Sequence, residues 1–245
     1  MNTAEPGSVF RRIVFALVGI DLLIIVLHLA TDGVTVFNLD AEGNVPTWHS
    51  SAKLLAIAAM AVLAYGFERR ERPPAKYHRL WLGVAALFTA LSLDETASLH
   101  ERLARALVSG GAAGNIRNTL LGGDATKDSF AWVVLFAPFA VGIFFFLIAF
   151  AWARRDRLRR VLPLGAGGIG CYILAMILEP AAVYFTPPMA TWDAAMRARY
   201  RLLTVLEESA EIVGTSLLLL TVVSYVVKLW AADNPASGAT PDAGQ

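Results

Sequence analysis

Six long apolar stretches divide the chain, and charged or turn-forming segments separate them. The stretches cover residues 13–31, 48–67, 80–99, 130–153, 161–180 and 208–227. A hydrocarbon core of about 30 Å needs about 20 helical residues to cross it, and lipid cannot satisfy an unpaired backbone. The pattern therefore predicts an all-α fold, a polytopic integral membrane bundle of six transmembrane helices.

The distribution of basic residues predicts the orientation of this bundle. With the N-terminus inside, thirteen Lys and Arg residues fall on the cytoplasmic side and seven on the outer side. This asymmetry follows the positive-inside rule, so both termini are predicted to be cytoplasmic and the protein to lie in the inner (plasma) membrane. The predicted organisation is a cytoplasmic N-terminal tail (residues 1–12), a single six-helix domain (13–230) and a disordered cytoplasmic tail (231–245).

The amino-acid composition supports a membrane protein and excludes some classes of partner. Hydrophobic residues make up 56% of the chain and charged residues only 17%, whereas soluble domains carry about 25% charge. The formal net charge of +1 gives no basic field for nucleic acid. The single cysteine, Cys171, excludes an intramolecular disulfide and multi-cysteine metal sites. The predicted partners are the lipid bilayer, a lipid-like or small-molecule substrate, and a membrane protein partner.

Two helices are predicted to extend beyond the membrane on the outer side. The third continues to about Leu107, and the sixth begins near Thr191, which is a plausible cap. Residues 109–129 contain two glycine pairs and are predicted to be mostly irregular. The glycine-rich segment GAGGIG, residues 165–170, is predicted to form a helix-packing face.

Ionisable side chains gather near the outer ends of five of the six predicted helices. Such groups are costly within a membrane and are candidates for a functional site. The predicted metal ligands are His28, His49, Asp94, Glu101, Glu179, Glu207, Glu208 and Glu211. Residues 93–99 and 206–212 share one pattern: aliphatic, acid, Glu, hydroxyl, Ala, any residue, aliphatic.

Helical geometry refines this layer of acids. On one continuous helix, Asp94, Ser98 and Glu101 share a face, whereas His100 points away from it. Carboxylates on facing helices are the ligand pattern of di-iron and di-manganese bundles. The Glu208-x-x-Glu211 spacing fits that pattern, with Glu in the place of His.

The chemistry predicted for this layer is that of a membrane metalloenzyme, a hydrolase or oxidase acting on a lipid-like or periplasmic substrate. The expected cofactor is a divalent metal, Zn, Mn or Fe, with a metal-bound water as the reactive group. Glu95 is the predicted proton acceptor, and Ser98 is predicted to orient the substrate. No residues are assigned to any other cofactor.

Other interpretations of the same residues remain open. The acids on the sixth helix can serve as a helix start paired with nearby arginines, and Glu101 can pair with Arg105. His28 and His49 can be interfacial histidines, and Asp21 is expected to make a buried hydrogen bond between helices. The alternative functions are a non-catalytic accessory subunit of a membrane complex and a cation- or proton-coupled transporter.

Overall fold

Helices form the regular structure in the computed structural model, which describes residues 6–31, 34–41, 43–184 and 186–234. Within these ranges the α-helices are α1 (Pro6–Ala30), α2 (Val45–Arg70), α3 (Leu80–Ala97), α4 (Leu99–Ser109), α5 (Gly114–Thr119), α6 (Trp132–Ala153), α7 (Arg155–Leu158), α8 (Leu162–Val183) and α9 (Ala194–Asp233). Six of them, α1, α2, α3, α6, α8 and α9, are long and apolar enough to cross a membrane. The predicted all-α fold with six such helices is confirmed, and insertion and orientation remain predictions.

The central helix of the bundle is α9, which packs against α1, α2 and α8. Its 40 residues give a length of about 60 Å at 1.5 Å per residue, twice the thickness of a hydrocarbon core. The main hydrophobic core joins α2, α3 and α9 and includes Ile57, Trp81, Phe88 and Tyr225. Leu158, in the basic segment after α6, also belongs to this core, so the core extends to the ends of the helices that carry the basic loops.

Helices α8 and α9 approach closely because glycines stand where they cross. A Cβ added to Gly168 would lie 2.9 Å from the carbonyl oxygen of Gly214. Gly165 and Gly167 also contact α9 side chains, whereas a Cβ on Gly170 would meet nothing within 4 Å. The predicted packing face is therefore confirmed for three of the four glycines in the GAGGIG segment.

A buried polar network around Asp21 connects α1 to the rest of the bundle. Its carboxylate bonds to His49 Nε2 at 2.7 Å and accepts hydrogen bonds from Lys53 Nζ at 3.1 Å and Ser216 Oγ at 2.6 Å. Lys53 also donates to the carbonyl oxygen of Ile212 at 2.7 Å. The expected interhelical hydrogen bond of Asp21 is confirmed, and it connects α1, α2 and α9.

The third predicted helix ends earlier than expected. Ser98 adopts a left-handed conformation with φ of 48°, and α4 starts at the next residue. The expectation of one continuous helix to Leu107 is therefore wrong. The new helix can start because Asp94 accepts a hydrogen bond from the backbone N–H of His100 at 2.9 Å, one of the amides that a helix start leaves unpaired.

Other boundaries also differ from the predictions. Asp193, rather than Thr191, caps α9 by accepting a hydrogen bond from Met196 N at 2.8 Å. The segment predicted to be mostly irregular contains α5 and a 3₁₀ segment, Ala125–Ala131. Residues 6–12 of the predicted N-terminal tail are helical, and residues 235–245 of the predicted C-terminal tail lie outside the described ranges.

Candidate functional site

A cavity of about 560 Å³ lies among α2, α3, α4, α6, α8 and α9. Its volume falls in the range of about 300–1,000 Å³ that is typical of ligand sites. Eight carboxylate side chains line one end of it, and we call them the carboxylate layer: Asp40, Asp94, Glu95, Glu101, Glu179, Glu207, Glu208 and Glu211. We call the whole space the acidic cavity, and the side of the bundle that holds this layer the acidic side.

Below the carboxylate layer, the walls of the acidic cavity are apolar and aromatic. The lining side chains there include Leu87, Phe88, Leu91, Phe136, Phe139, Ile143, Phe144, Leu147, Ile169 and Met176. Phe139 lines the cavity and is also 68% exposed on the surface of the bundle. The cavity is thus amphipathic, with a charged end and a hydrocarbon-like remainder that reaches the outside of the bundle.

Acidic side chains far outnumber basic ones along the lining of the acidic cavity. Among the described residues that line the cavity there is no Lys or Arg, and His100 is the one side chain able to carry a positive charge. Arg105 approaches Glu101 at 3.9 Å, but its side chain is 58% exposed, so this pair contributes little. Like charges in a partly buried space repel each other, and they are stabilised by protonation or by a cation.

Asp94 and His100 form an ion pair at the break between α3 and α4. His100 Nδ1 lies 2.7 Å from Asp94 Oδ2, while Asp94 Oδ1 accepts from the backbone of the same histidine. Burial lowers the pKa of His100, but the hydrogen bond and the charge of Asp94 outweigh it, so that the pKa lies above its ordinary value. An imidazole held by a carboxylate beside a cavity is an arrangement suited to proton transfer.

Glu179 connects the carboxylate layer to α6. The side chain of Glu179 is buried on α8, and Trp132 Nε1 at the start of α6 donates to its Oε1 at 2.7 Å. The Trp132 ring packs edge-on against His100, with ring centroids 4.7 Å apart. These contacts bring α4, α6 and α8 together at the charged end of the cavity.

Two of the three arginines at the start of α9 bond to backbone oxygens and not to the acids of the same helix. Arg197 donates to the carbonyl oxygen of Trp192, and Arg199 donates to that of Ala181 at 2.8 Å. A tyrosine contacts the carboxylate layer instead: the hydroxyl of Tyr200 donates a hydrogen bond to Asp40 at 3.0 Å. The proposed helix-start pairing with arginines is therefore not seen for Arg197 and Arg199.

Six of the eight residues predicted to bind a metal line this one cavity, and the two histidines do not. His28 Nδ1 accepts from the backbone N–H of Leu39 at 3.1 Å, and His49 bonds to Asp21. Of the two predicted catalytic residues, Glu95 lines the cavity and Ser98 forms the break between helices. Within the described ranges, no three His, Cys, Asp or Glu side chains are placed so that they could together hold a metal ion.

Three residues of the site were not predicted from the sequence: His100, Asp40 and Tyr200. His100 was expected to point away because the helical repeat was counted through Ser98, where the helix actually breaks. The Ser98-x-x-Glu101 spacing matches the capping-box pattern of a helix start, and it is the signal that would have revealed the break. Asp40 and Tyr200 come from a loop and a helix extension, whose positions depend on the tertiary fold.

No curated protein and no solved structure matches the chain. One family model does match, over residues 12–226, and its description is a domain of unknown function, DUF8692. This match includes most or all of each of the six helices that are long and apolar enough to cross a membrane, and every residue of the carboxylate layer. The chain therefore belongs to the DUF8692 family.

Proposed function

We propose that the protein is a membrane enzyme that acts on a lipid-like substrate with the help of a divalent metal ion bound by the carboxylate layer. One observation carries the proposal: eight carboxylates line one end of a cavity whose remaining walls are mainly apolar. The apolar part suits a hydrocarbon chain, and the charged end suits a cation together with the polar group of a substrate. A bound divalent metal would activate water or polarise a substrate oxygen.

The side chains best suited to hold the metal lie on two helices. Glu207, Glu208 and Glu211 project from neighbouring positions on α9, and Glu101 projects from α4. Oxygen ligands of this kind suit Mn, Fe and Zn, the metals that the sequence predicts. Because carboxylates repel one another without a cation, metal binding is expected to draw these four side chains together.

The lower half of the bundle favours an enzyme over a transporter. Beneath the acidic cavity, Ile57, Trp81 and Tyr225 are completely or almost completely buried in the main core. Beside them, Arg154 pairs with the buried carboxylate of Glu68. A transport pathway needs a series of polar steps across the membrane. The buried Asp21, His49 and Lys53 bond to one another without lining the acidic cavity, which supports a pocket rather than a pathway.

Elemental analysis of the purified protein tests the metal site. The protein is loaded with Zn, Mn or Fe(II) in detergent and desalted, and the bound metal is then measured by mass spectrometry. We expect Glu208→Gln and Glu211→Gln to lower metal affinity by about 10–100-fold or more. The matched control is Glu71→Gln, since Glu71 pairs with Arg157 at 2.6 Å far from the layer.

Two results would contradict the proposal. One is a wild-type protein that binds none of the three metals, and the other is unchanged binding in Glu208→Gln when size-exclusion profiles show that the variant is folded. Catalysis is tested separately by incubating the protein with membrane lipid extract and searching for new products by mass spectrometry. Product formation that stops with a chelator supports an enzyme, and metal binding without products supports the accessory-subunit alternative.

A further inference from the structure

Helix α6 is held to the rest of the bundle at its two ends. At one end, Phe146 and Phe150 pack against the main core, and a Cβ added to Gly83 of α3 would lie 3.0 Å from the Phe146 ring. At the other end, Trp132 bonds to Glu179 and packs with the cluster around Leu121. The middle of α6 lies between these two attachments.

The middle turns of α6 and α3 line the acidic cavity. On α3 these residues are Leu87, Ala90 and Leu91, and on α6 they are Phe136, Phe139, Ala140, Ile143 and Phe144. Ala90 and Phe139 are also exposed on the surface of the bundle. The cavity therefore reaches the surface between these helices, where both are apolar enough to cross a membrane.

The length of the acidic cavity along α6 exceeds the hydrocarbon thickness of one leaflet of a bilayer. Along α6 the lining extends from Trp132 to Leu147, which corresponds to about 22 Å of helix at 1.5 Å per residue. Half of a hydrocarbon core is about 15 Å. The cavity is therefore long enough for a leaflet-length chain and its polar head group, with the head group beside the carboxylate layer.

We infer that the substrate is a membrane lipid whose hydrocarbon chain enters the acidic cavity sideways, between α3 and α6, from the leaflet on the acidic side. This inference rests on the proposed function, of which it names the substrate class and the route of entry. Under the orientation predicted from the basic residues, this is the outer leaflet. A chain arriving from the bilayer stays among apolar side chains throughout, while its head group approaches the carboxylates at the end of the cavity.

Photo-crosslinking in liposomes tests this route. The protein is reconstituted in vesicles of phosphatidylcholine and phosphatidylglycerol that contain a phospholipid with a diazirine midway along one chain. After irradiation, mass spectrometry locates the labelled residues. We expect label on Met176 of α8, which lines the cavity and is only partly exposed, in addition to label on residues of the bundle surface.

Bulky substitutions at the opening should block this labelling. Ala90→Trp and Ala140→Trp place a large ring between α3 and α6, and we expect each to lower the labelling of Met176 by about tenfold. The matched control is Ala149→Trp, because Ala149 is exposed on α6 and does not line the cavity. Metal content is measured on the same samples and should be unchanged in all three variants.

The outcomes separate this inference from the proposed function. Absence of label on Met176 in the wild type, or equal labelling in Ala140→Trp and Ala149→Trp, would overturn lateral entry, whatever the metal measurements give. Loss of labelling in Ala140→Trp supports the lateral route even when Glu208→Gln leaves metal content unchanged. In that case the route stands, and the metal-dependent activity is what fails.

Discussion

Both carboxylate oxygens of Asp94 are used within the protein. One accepts from the backbone N–H of His100, and the other bonds to the imidazole of the same residue at 2.7 Å. Through these two bonds Asp94 caps the start of α4 and orients His100, and its predicted role as a metal ligand stays a prediction. Glu101, the next residue along α4, then faces the acidic cavity.

Asp94→Asn should separate the two contributions of this side chain. The amide oxygen of asparagine still accepts from the His100 backbone, but the charge is lost, so we expect the pKa of His100 to fall. The pair stabilises the fold fully below the ordinary histidine pKa of 6.5, and this contribution is lost as pH rises through the raised folded-state value. The stability difference between wild type and Asp94→Asn should therefore shrink as pH rises.

The measurement is thermal unfolding of metal-free protein in detergent at a series of pH values below and above 6.5. A second variant, Asp94→Ala, removes the helix cap as well, and such caps contribute about 1 kcal/mol. It should remain less stable than Asp94→Asn at every pH. A stability difference between wild type and Asp94→Asn that does not change with pH would exclude the ion pair described here.

At this scale the sequence identified most of the charged residues but not their contacts. Six of the ligands predicted by counting depth along the apolar stretches line one cavity. Depth can be counted in this way because a helix rises by a constant amount per residue. His28 and His49 have the right depth, yet they bond to Leu39 and Asp21. Depth does not specify the direction in which a side chain points, and that direction depends on where each helix starts.

At the scale of the helices, the sequence predicted which helices form better than it predicted where each helix begins and ends. Long apolar stretches leave no choice of secondary structure in lipid, so the six helices that are long and apolar enough to cross a membrane were predictable. The break at Ser98 depends on a side chain that captures a backbone amide from six residues along the chain, which no hydrophobic pattern encodes. Glycine spacing, in contrast, predicted a helix-packing face that three of the four glycines form on α8.

That contact predicts different effects for neighbouring glycines. A Cβ on Gly168 would lie 2.7 Å from Leu218 Cγ and 2.9 Å from a backbone oxygen of α9, so Gly168→Ala should destabilise the protein by about 1–3 kcal/mol through overpacking. Gly170→Ala, in open space, should be neutral or stabilise by up to about 1 kcal/mol. Thermal unfolding of the two variants side by side measures the difference, and equal shifts would contradict the close approach of these helices.

On the scale of the whole molecule, carboxylates on the two sides of the bundle have different surroundings. On the basic side, carboxylates are paired: Glu68 with Arg154, and Glu71 with Arg157. On the acidic side, the carboxylate layer faces a shared cavity that is lined by no Lys or Arg within the described residues. This asymmetry is consistent with a structural role for the charges on one side and a functional role for those on the other.

The predicted orientation can be tested with single cysteines in a Cys171→Ala background. Arg105→Cys places a thiol on the acidic side and Asp156→Cys places one on the basic side, where the native side chains are 58% and 97% exposed. In intact cells, a membrane-impermeant maleimide should label Arg105→Cys and should label Asp156→Cys only after permeabilisation. The reverse result would place the acidic cavity on the cytoplasmic side.

The network around Asp21 also has a consequence for biogenesis. Its partners lie 28, 32 and 195 residues further along the chain, so α1 leaves the ribosome before any of them. At about 5–20 residues per second, Ser216 follows Asp21 by roughly 10–40 s. His49 and Lys53 follow within about 2–6 s, so for most of this time Asp21 lacks only its partner on the last helix. A nascent chain stopped before α9 therefore lacks the hydrogen bond that connects its first helix to its last.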